Sequence, residues 1–277
     1  MHTLITIPFS HYNEKARWAL ERWRVPYREL RFVPGLHAPA VLLATRLGRD
    51  GRADRVSSRL STPVFIAESG ERITDSAQIV AWVDQRHGSP ADTLYPTPEA
   101  AALERELGLE LGPHARRVAY GFGLEQPEAF VEVARANVGP LQAALARVLA
   151  PVLVRGVVRG LRVDAARVEA SRARVLACFE QIGARLTAGG TGYLCGDRFT
   201  AADLTFACLS APVLLPSRAE GFGATLPSLQ PDARPAATPQ AAALAHALRD
   251  TVAGRHALRM FARHRGPVAS ATHRGSA

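Results

Sequence analysis

The chain has 277 residues, 47% hydrophobic and 21% charged, with a net charge of +9. That length suits one large globular domain or two modest ones, and the composition is that of an ordinary globular protein. Lys15 is the single lysine among 34 basic residues, and the arginines are spread along the chain with no aromatic platform between them, which argues against nucleic-acid binding and for a small anionic ligand.

Cys178, Cys195 and Cys208 form no C-x-x-C pair and have no histidines at metal-ligand spacing, so they read as buried small hydrophobes. The N-terminus has no basic start followed by a long apolar run, so no signal peptide is expected. The apolar stretch 138–158 is interrupted by Arg147, Pro151 and Arg155 and reads as too broken to span a membrane.

In chain order, residues 3–7 read as a buried strand. Residues 11–24 read as a helix with Ala16, Leu20 and Trp23 on one face and Glu14, Arg17 and Glu21 polar, stopped by Pro26. Residues 27–33 alternate as a strand should, completing a parallel strand–helix–strand unit. A helical piece over 37–47 precedes a polar stretch, 48–61, that reads as an exposed loop. Strands over 63–67 and 72–74 form a hairpin, followed by a helix over 75–87. The order β-α-β-α-β-β-α is that of a thioredoxin-like domain. Three prolines in 88–99 mark a linker. Beyond it the pattern predicts helices over 98–119, 127–150, 162–188, 200–211, 238–250 and 252–264. Residues 212–239, dense in proline and glycine, read as a long irregular segment, either functional or loosely packed. The end of the chain, from about Gly266, reads as a frayed tail.

Three segments together resemble the glutathione transferase superfamily. In SHYNEKARWAL (10–20), Ser10 stands seven positions before Arg17, the spacing of the serine and cysteine classes. STPVF followed by ITDSAQIVAWV is similar to the family's cis-proline strand and the acidic-plus-serine pair that opens its third helix. YLCGDRFTAADLTFACL (193–209) is similar to the capping-box segment of its helical domain, with Thr200 and Asp203 as the box and Phe199 and Leu204 as the staple.

The resemblance implies a thioredoxin-like glutathione-binding domain over 1–87, a linker over 88–99 and an all-helical domain over 100–277 that contributes the co-substrate site. It implies a cytoplasmic homodimeric enzyme of detoxification. Its co-substrate is glutathione, which attacks a small apolar electrophile. Ser10 would stabilise the thiolate. Thr62 and cis Pro63 would pair with the cysteinyl backbone, Asp75 with the ammonium and Ser76 with the γ-glutamyl carboxylate. Ser61 stands where relatives place a lysine; Arg59 or an arginine from the earlier loop would take its place at the glycyl carboxylate.

The residues by themselves leave alternatives open. Ser10 also fits a plain helix N-cap, Asp75 and Ser76 fit ordinary capping, and Pro63 fits a trans proline at a strand start. Tyr12 is a second hydroxyl candidate, and His11 reads as a surface residue. Asn13 fills a place where some relatives carry cysteine, which disfavours a glutathione-dependent reductase or thiol transferase. A non-catalytic binding protein of the same fold is the further alternative. The physical demand on a thiolate site is definite. A free thiol has a pKa near ~8.5, and lowering it by ~2 units takes about 2.7 kcal/mol. A hydroxyl donating to the anion supplies ~1.5–3 kcal/mol and a helix N-terminus ~0.3–1 kcal/mol.

Overall fold

The structure is a computed structural model that describes residues 1–46, 60–124, 126–230 and 232–265. Arg59 and nearly all of the polar stretch 48–61 lie outside the described residues.

The N-terminal part is a small mixed sheet with three helices. In chain order it contains β1 (His2–Thr6), α1 (His11–Arg22), β2 (Tyr27–Arg31), α2 (Ala38–Arg46), β3 (Val64–Ile66), β4 (Arg72–Ile73) and α3 (Ser76–His87). The sheet order is β2-β1-β3-β4. β1 and β2 are parallel, joined through α1, while β3 is antiparallel to both β1 and β4. Leu4, Leu20, Phe65, Ile79 and Val83 form the apolar layer between the sheet and its helices.

The rest is helical: α4 (Pro98–Glu110), α5 (Gly112–Ala119), a π-helical segment Tyr120–Leu124, α6 (Pro127–Arg135), α7 (Pro140–Leu161), α8 (Ala165–Gly189), α9 (Ala201–Leu214), α10 (Pro239–Arg249), α11 (Val252–Met260) and a π-helical segment Phe261–Arg265. Prolines at the first turns of α4, α6, α7 and α10 start helices where a missing N–H costs nothing. α9 is buried along nearly all its length and packs against α1, α4, α5, α10 and α11. Its capping box closes as expected: the Asp203 carboxylate accepts from the Thr200 backbone N–H at 2.9 Å and from the Leu194 N–H at 2.9 Å.

Several expected elements are divided. The helix expected over 98–119 breaks at Leu111 into α4 and α5. The helix expected over 127–150 breaks after Arg135 and restarts at Pro140. The Asn137 side chain there donates to both Val133 O and Thr225 O at 2.8 Å, competing with the helical hydrogen bonds. Conversely, Arg147, Pro151 and Arg155 do not interrupt α7, which runs unbroken for 22 residues. By length and composition alone α7 could cross a membrane. Here it is tied to the protein: Gln142 donates to Arg31 O at 2.7 Å, and Leu161 O accepts from Arg117 at 3.0 Å. Its outer face exposes Leu141, Leu145, Val148 and Val152.

The polar face predicted for α1 is not a solvent face. Glu14 and Arg17 are both fully enclosed. Arg17 Nη2 and Nε donate to Glu14 Oε2 at 2.5 and 3.1 Å, and Nη1 donates to Glu29 Oε1 at 2.9 Å. Glu14 Oε1 also pairs with Arg265 at the end of the described chain and accepts from Gly223 N at 2.7 Å. Lys15, the lone lysine, is buried as well and pairs with Glu104 on α4 at 2.7 Å. Such buried charges persist only where partners offset the loss of water.

Residues 216–238 are irregular, as expected, but they are packed. Phe222 and Ala224 are buried, and Thr225 N donates to Asn137 Oδ1 at 2.8 Å. A methyl group at Gly223 would sit 2.8 Å from Glu14 Oε2 and 2.9 Å from Arg265 Nη2. Gly223→Ala is therefore expected to destabilise the fold by ~1–3 kcal/mol, read as a lower urea midpoint. Burial alone pushes the Glu29 carboxyl up, but Arg17, Arg31 and the Thr6 hydroxyl outweigh it and hold it below its ordinary value of about 4.5. The stability Glu29 contributes is then full above about pH 4.5 and is lost as pH falls through its depressed value. Glu29→Gln should flatten the acid limb of the stability curve, measured by urea unfolding from pH 6 downward.

Candidate functional site

The strand directions bring the predicted site residues to one end of the sheet. β1 runs toward Ser10. β3 is antiparallel to it with Ile5 opposite Val64, so Thr62 and Pro63 lie at the same end. β4 is antiparallel to β3 with Ile73 opposite Phe65, so the chain emerges there again at Asp75. The N-termini of α1 and α3 thus share the end of the sheet from which β1 departs, and both present positive helix-end potential.

Ser10 is the N-cap residue of α1 by backbone conformation, and Glu14 N donates to its carbonyl at 3.0 Å. Its side chain makes no capping hydrogen bond. Ser10 is among the residues that line a cavity. The turn before it is held from behind: Arg17 Nη2 donates to Pro8 O at 2.5 Å, and Asn13 Nδ2 donates to Ile7 O at 3.0 Å. Asn13 Nδ2 also donates to Thr62 Oγ1 at 3.0 Å, coupling the α1 turn to the start of β3. The Thr62–Pro63 peptide bond is cis.

Asp75 caps α3, its Oδ1 accepting from Ala77 N at 2.8 Å and Gln78 N at 3.0 Å. Ser76, the first residue of α3, is buried. Neither these two residues nor Pro63 lines the cavity, whereas Ser10 and Thr62 do.

His11 corrects an expectation: it is buried, not on the surface. Its Nε2 lies 3.0 Å from Gly112 O, at the α4–α5 junction. Burial, with a further push from the Arg116 guanidinium, lowers its pKa to about 3, so the ring is neutral at physiological pH. Tyr12 is also spoken for. Its hydroxyl donates to Gly108 O at 3.1 Å, and burial raises its pKa to about 12. The second hydroxyl candidate therefore serves the contact between α1 and α4.

The cavity, of about 570 Å³, lies between this sheet end and the helices. Phe9, Tyr120, Phe122, Val133, Val157 and Leu226 supply apolar walls, with α5, the π-helical segment, α6, α7 and the 216–238 segment each contributing. The roles of Asn13 and Arg116 as single residues had no pattern in the sequence by which to find them, whereas the 212–239 segment, read as either functional or loosely packed, supplies part of the wall. Among the described residues no cluster of His, Cys, Asp or Glu could hold a metal. All three cysteines are free and buried, and none lines the cavity.

Residues 4–91 match the family of glutathione S-transferase N-terminal domains, and residues 165–211 match that of glutathione S-transferase C-terminal domains. The chain belongs to the glutathione transferase superfamily, with its small mixed-sheet domain followed by a mostly helical region. Among solved structures it is similar to a glutathione S-transferase of Methylobacterium radiotolerans in complex with glutathione sulfonate. That match has 18% identity over 99% of both chains and a TM-score of 0.48. It is similar also to one from Methylobacillus flagellatus with glutathione bound, at 18% identity over 97% of this chain and 100% of the other, with a TM-score of 0.46. A Tau class enzyme from mango is 16% identical over 93% and 92% of the two chains, with a TM-score of 0.48. No curated protein matches in sequence.

Asn13→Ala would remove the donor shared by the half-buried Ile7 carbonyl, which keeps Ser10 N at 2.9 Å, and the Thr62 hydroxyl, and would uncouple the α1 turn from the start of β3. It is expected to cost ~1–3 kcal/mol of stability in urea unfolding.

Proposed function

We propose that the protein is a glutathione transferase: it holds glutathione at the sheet end, stabilises its thiolate and directs it at an electrophile in the apolar cavity. The observation that carries this reading is Ser10, which stands at the N-terminus of α1, makes no side-chain capping bond and lines the cavity beside Thr62.

In this reading Ser10 donates its hydroxyl hydrogen to the glutathione sulfur, and the α1 N-terminus adds favourable potential. The Thr62 backbone, before cis Pro63, pairs with the cysteinyl unit. Asp75 spends one carboxylate oxygen on its own helix and offers the other to the γ-glutamyl ammonium, while Ser76 takes the γ-glutamyl carboxylate. With a chlorinated dinitrobenzene, the carbon–sulfur bond forms, the carbon–chlorine bond breaks, chloride leaves and the thiol proton passes to solvent. The walls of the cavity hold the apolar partner in line for that attack. A cytoplasmic homodimer is part of the same proposal, with light scattering as its check for the dimer.

Two alternatives make different forecasts. A thiol transferase needs a cysteine at the reacting position. Cys178 is pushed up to about 12 by burial, Cys208 higher still, and none of the three cysteines lines the cavity. Disulfide reduction should therefore be negligible beside conjugation. A non-catalytic protein of the same fold would turn nothing over, and no glutathione binding at millimolar concentration in calorimetry would favour it.

Ser10→Ala is expected to lower kcat for conjugation of 1-chloro-2,4-dinitrobenzene by ~10- to 100-fold, the equivalent of one hydrogen bond to an anion. Glutathione affinity by calorimetry should change little. Unchanged turnover would remove Ser10 from the mechanism.

A further inference from the structure

The buried and half-buried arginines that shape this protein are almost all matched. Arg17 meets Glu14, Glu29 and Pro8 O. Arg117 donates to Leu161 O and Ser171 Oγ, and Arg185 to Leu194 O and Glu99. Arg249 donates to two carbonyls and Glu220, and Arg265 meets Glu14 and Glu21. Arg116 breaks the pattern. It sits one position before the fully engaged Arg117 on α5, it is half-buried, and its guanidinium makes no hydrogen bond or ion pair among the described residues. Its Nε is enclosed without a partner. Its guanidinium carbon lies 5.9 Å from the centre of the Tyr12 ring, a weak contact.

Arg116 also lines the cavity, and no other lysine, arginine, aspartate or glutamate does so among the described residues. The groups around it, His11, Tyr12 and Tyr120, are neutral. A guanidinium partly withdrawn from water and faced by no carboxylate has lost hydration without compensation. An anionic ligand group restores the balance, and arginine's fork suits a planar or tetrahedral oxyanion.

We propose that Arg116 is an anion-binding residue of the cavity. It selects a co-substrate that is apolar over most of its surface and carries one carboxylate, sulfonate or phosphate. This rests on the reading of the cavity as the co-substrate site. The apolar walls would bury the body of the ligand, and Arg116 would fix the charged end and hence its orientation toward Ser10.

The test uses the full chain, Arg116→Met and Arg116→Lys. Two matched fluorescent probes are titrated: 8-anilinonaphthalene-1-sulfonate and N-phenyl-1-naphthylamine, which differ by the sulfonate. Arg116→Met should weaken the sulfonate probe by at least about tenfold, Arg116→Lys should recover part of the loss, and the neutral probe should bind all three proteins alike. Glutathione affinity by calorimetry should be unchanged in Arg116→Met. An unchanged sulfonate affinity overturns the proposal, as does an equal loss for both probes. A parallel loss of glutathione affinity also overturns it, by assigning Arg116 to glutathione itself. Where conjugation is active, Arg116→Met should lower kcat/KM for 4-chloro-3,5-dinitrobenzoate and spare 1-chloro-2,4-dinitrobenzene. An absence of turnover with both electrophiles would strike the transferase reading alone, because the probe titrations need no reaction.

Discussion

The Glu14 carboxylate is where distant parts of the chain meet in the absence of water. One of its oxygens takes the Arg17 guanidinium, and the other takes the Gly223 N–H and Arg265. Through Arg17 the network extends to Glu29 on β2 and to the Pro8 carbonyl in the turn before α1. Removing any one member would leave its neighbours charged and unpaired, which costs more than the pair contributes. The network therefore sets geometry more than it adds stability. It holds the turn that presents Ser10, it brings the 216–238 segment over the N-terminal sheet, and it anchors the last described turn of the chain. Apolar packing follows the same path, with Trp18 of α1 stacked on Phe261 at 4.9 Å.

The N-terminal part contributes direction. Because β3 returns antiparallel to β1 and β4 turns back again, the entries to α1 and α3 and the cis Thr62–Pro63 bond converge at one end of a four-stranded sheet. Two helix N-termini there favour an anionic ligand. They are treated differently by the residues before them. Asp75 satisfies its own helix with one carboxylate oxygen, whereas Ser10 leaves its helix uncapped by side chain and lines the cavity.

The helical part contributes enclosure. α5 brings Gly112 close enough to Tyr12 that a methyl group there would overlap its hydroxyl. That approach buries His11 and keeps it neutral, so the sole charged residue on the described cavity wall is Arg116. The far wall comes from α6, α7 and residues 226–238, which a local pattern cannot connect to the sheet.

The architecture, and the placing of the candidate residues at element starts, were legible in the sequence because they depend on local chemistry. Alternating and helical periodicity marked the β-α-β-α-β-β-α order, the Thr200–Asp203 box marked the start of α9, and Ser10, Thr62, Pro63, Asp75 and Ser76 each stood at the start of an element. The break near Asn137 was not read from the pattern, since part of what holds that side chain comes from residue 225, far along the chain. The polar residues of α1 gave no sign of burial for the same reason: what covers Glu14 arrives from residues 223 and 265. The burial of His11, the engagement of the Tyr12 hydroxyl and the unmatched charge of Arg116 were likewise decided by tertiary contacts. Sequence determined which residues begin the helices. Only the folded chain decided that the Tyr12 hydroxyl is engaged and that the Arg116 guanidinium lacks a partner among the described residues, because both depend on how many other groups compete for the same hydrogen bonds.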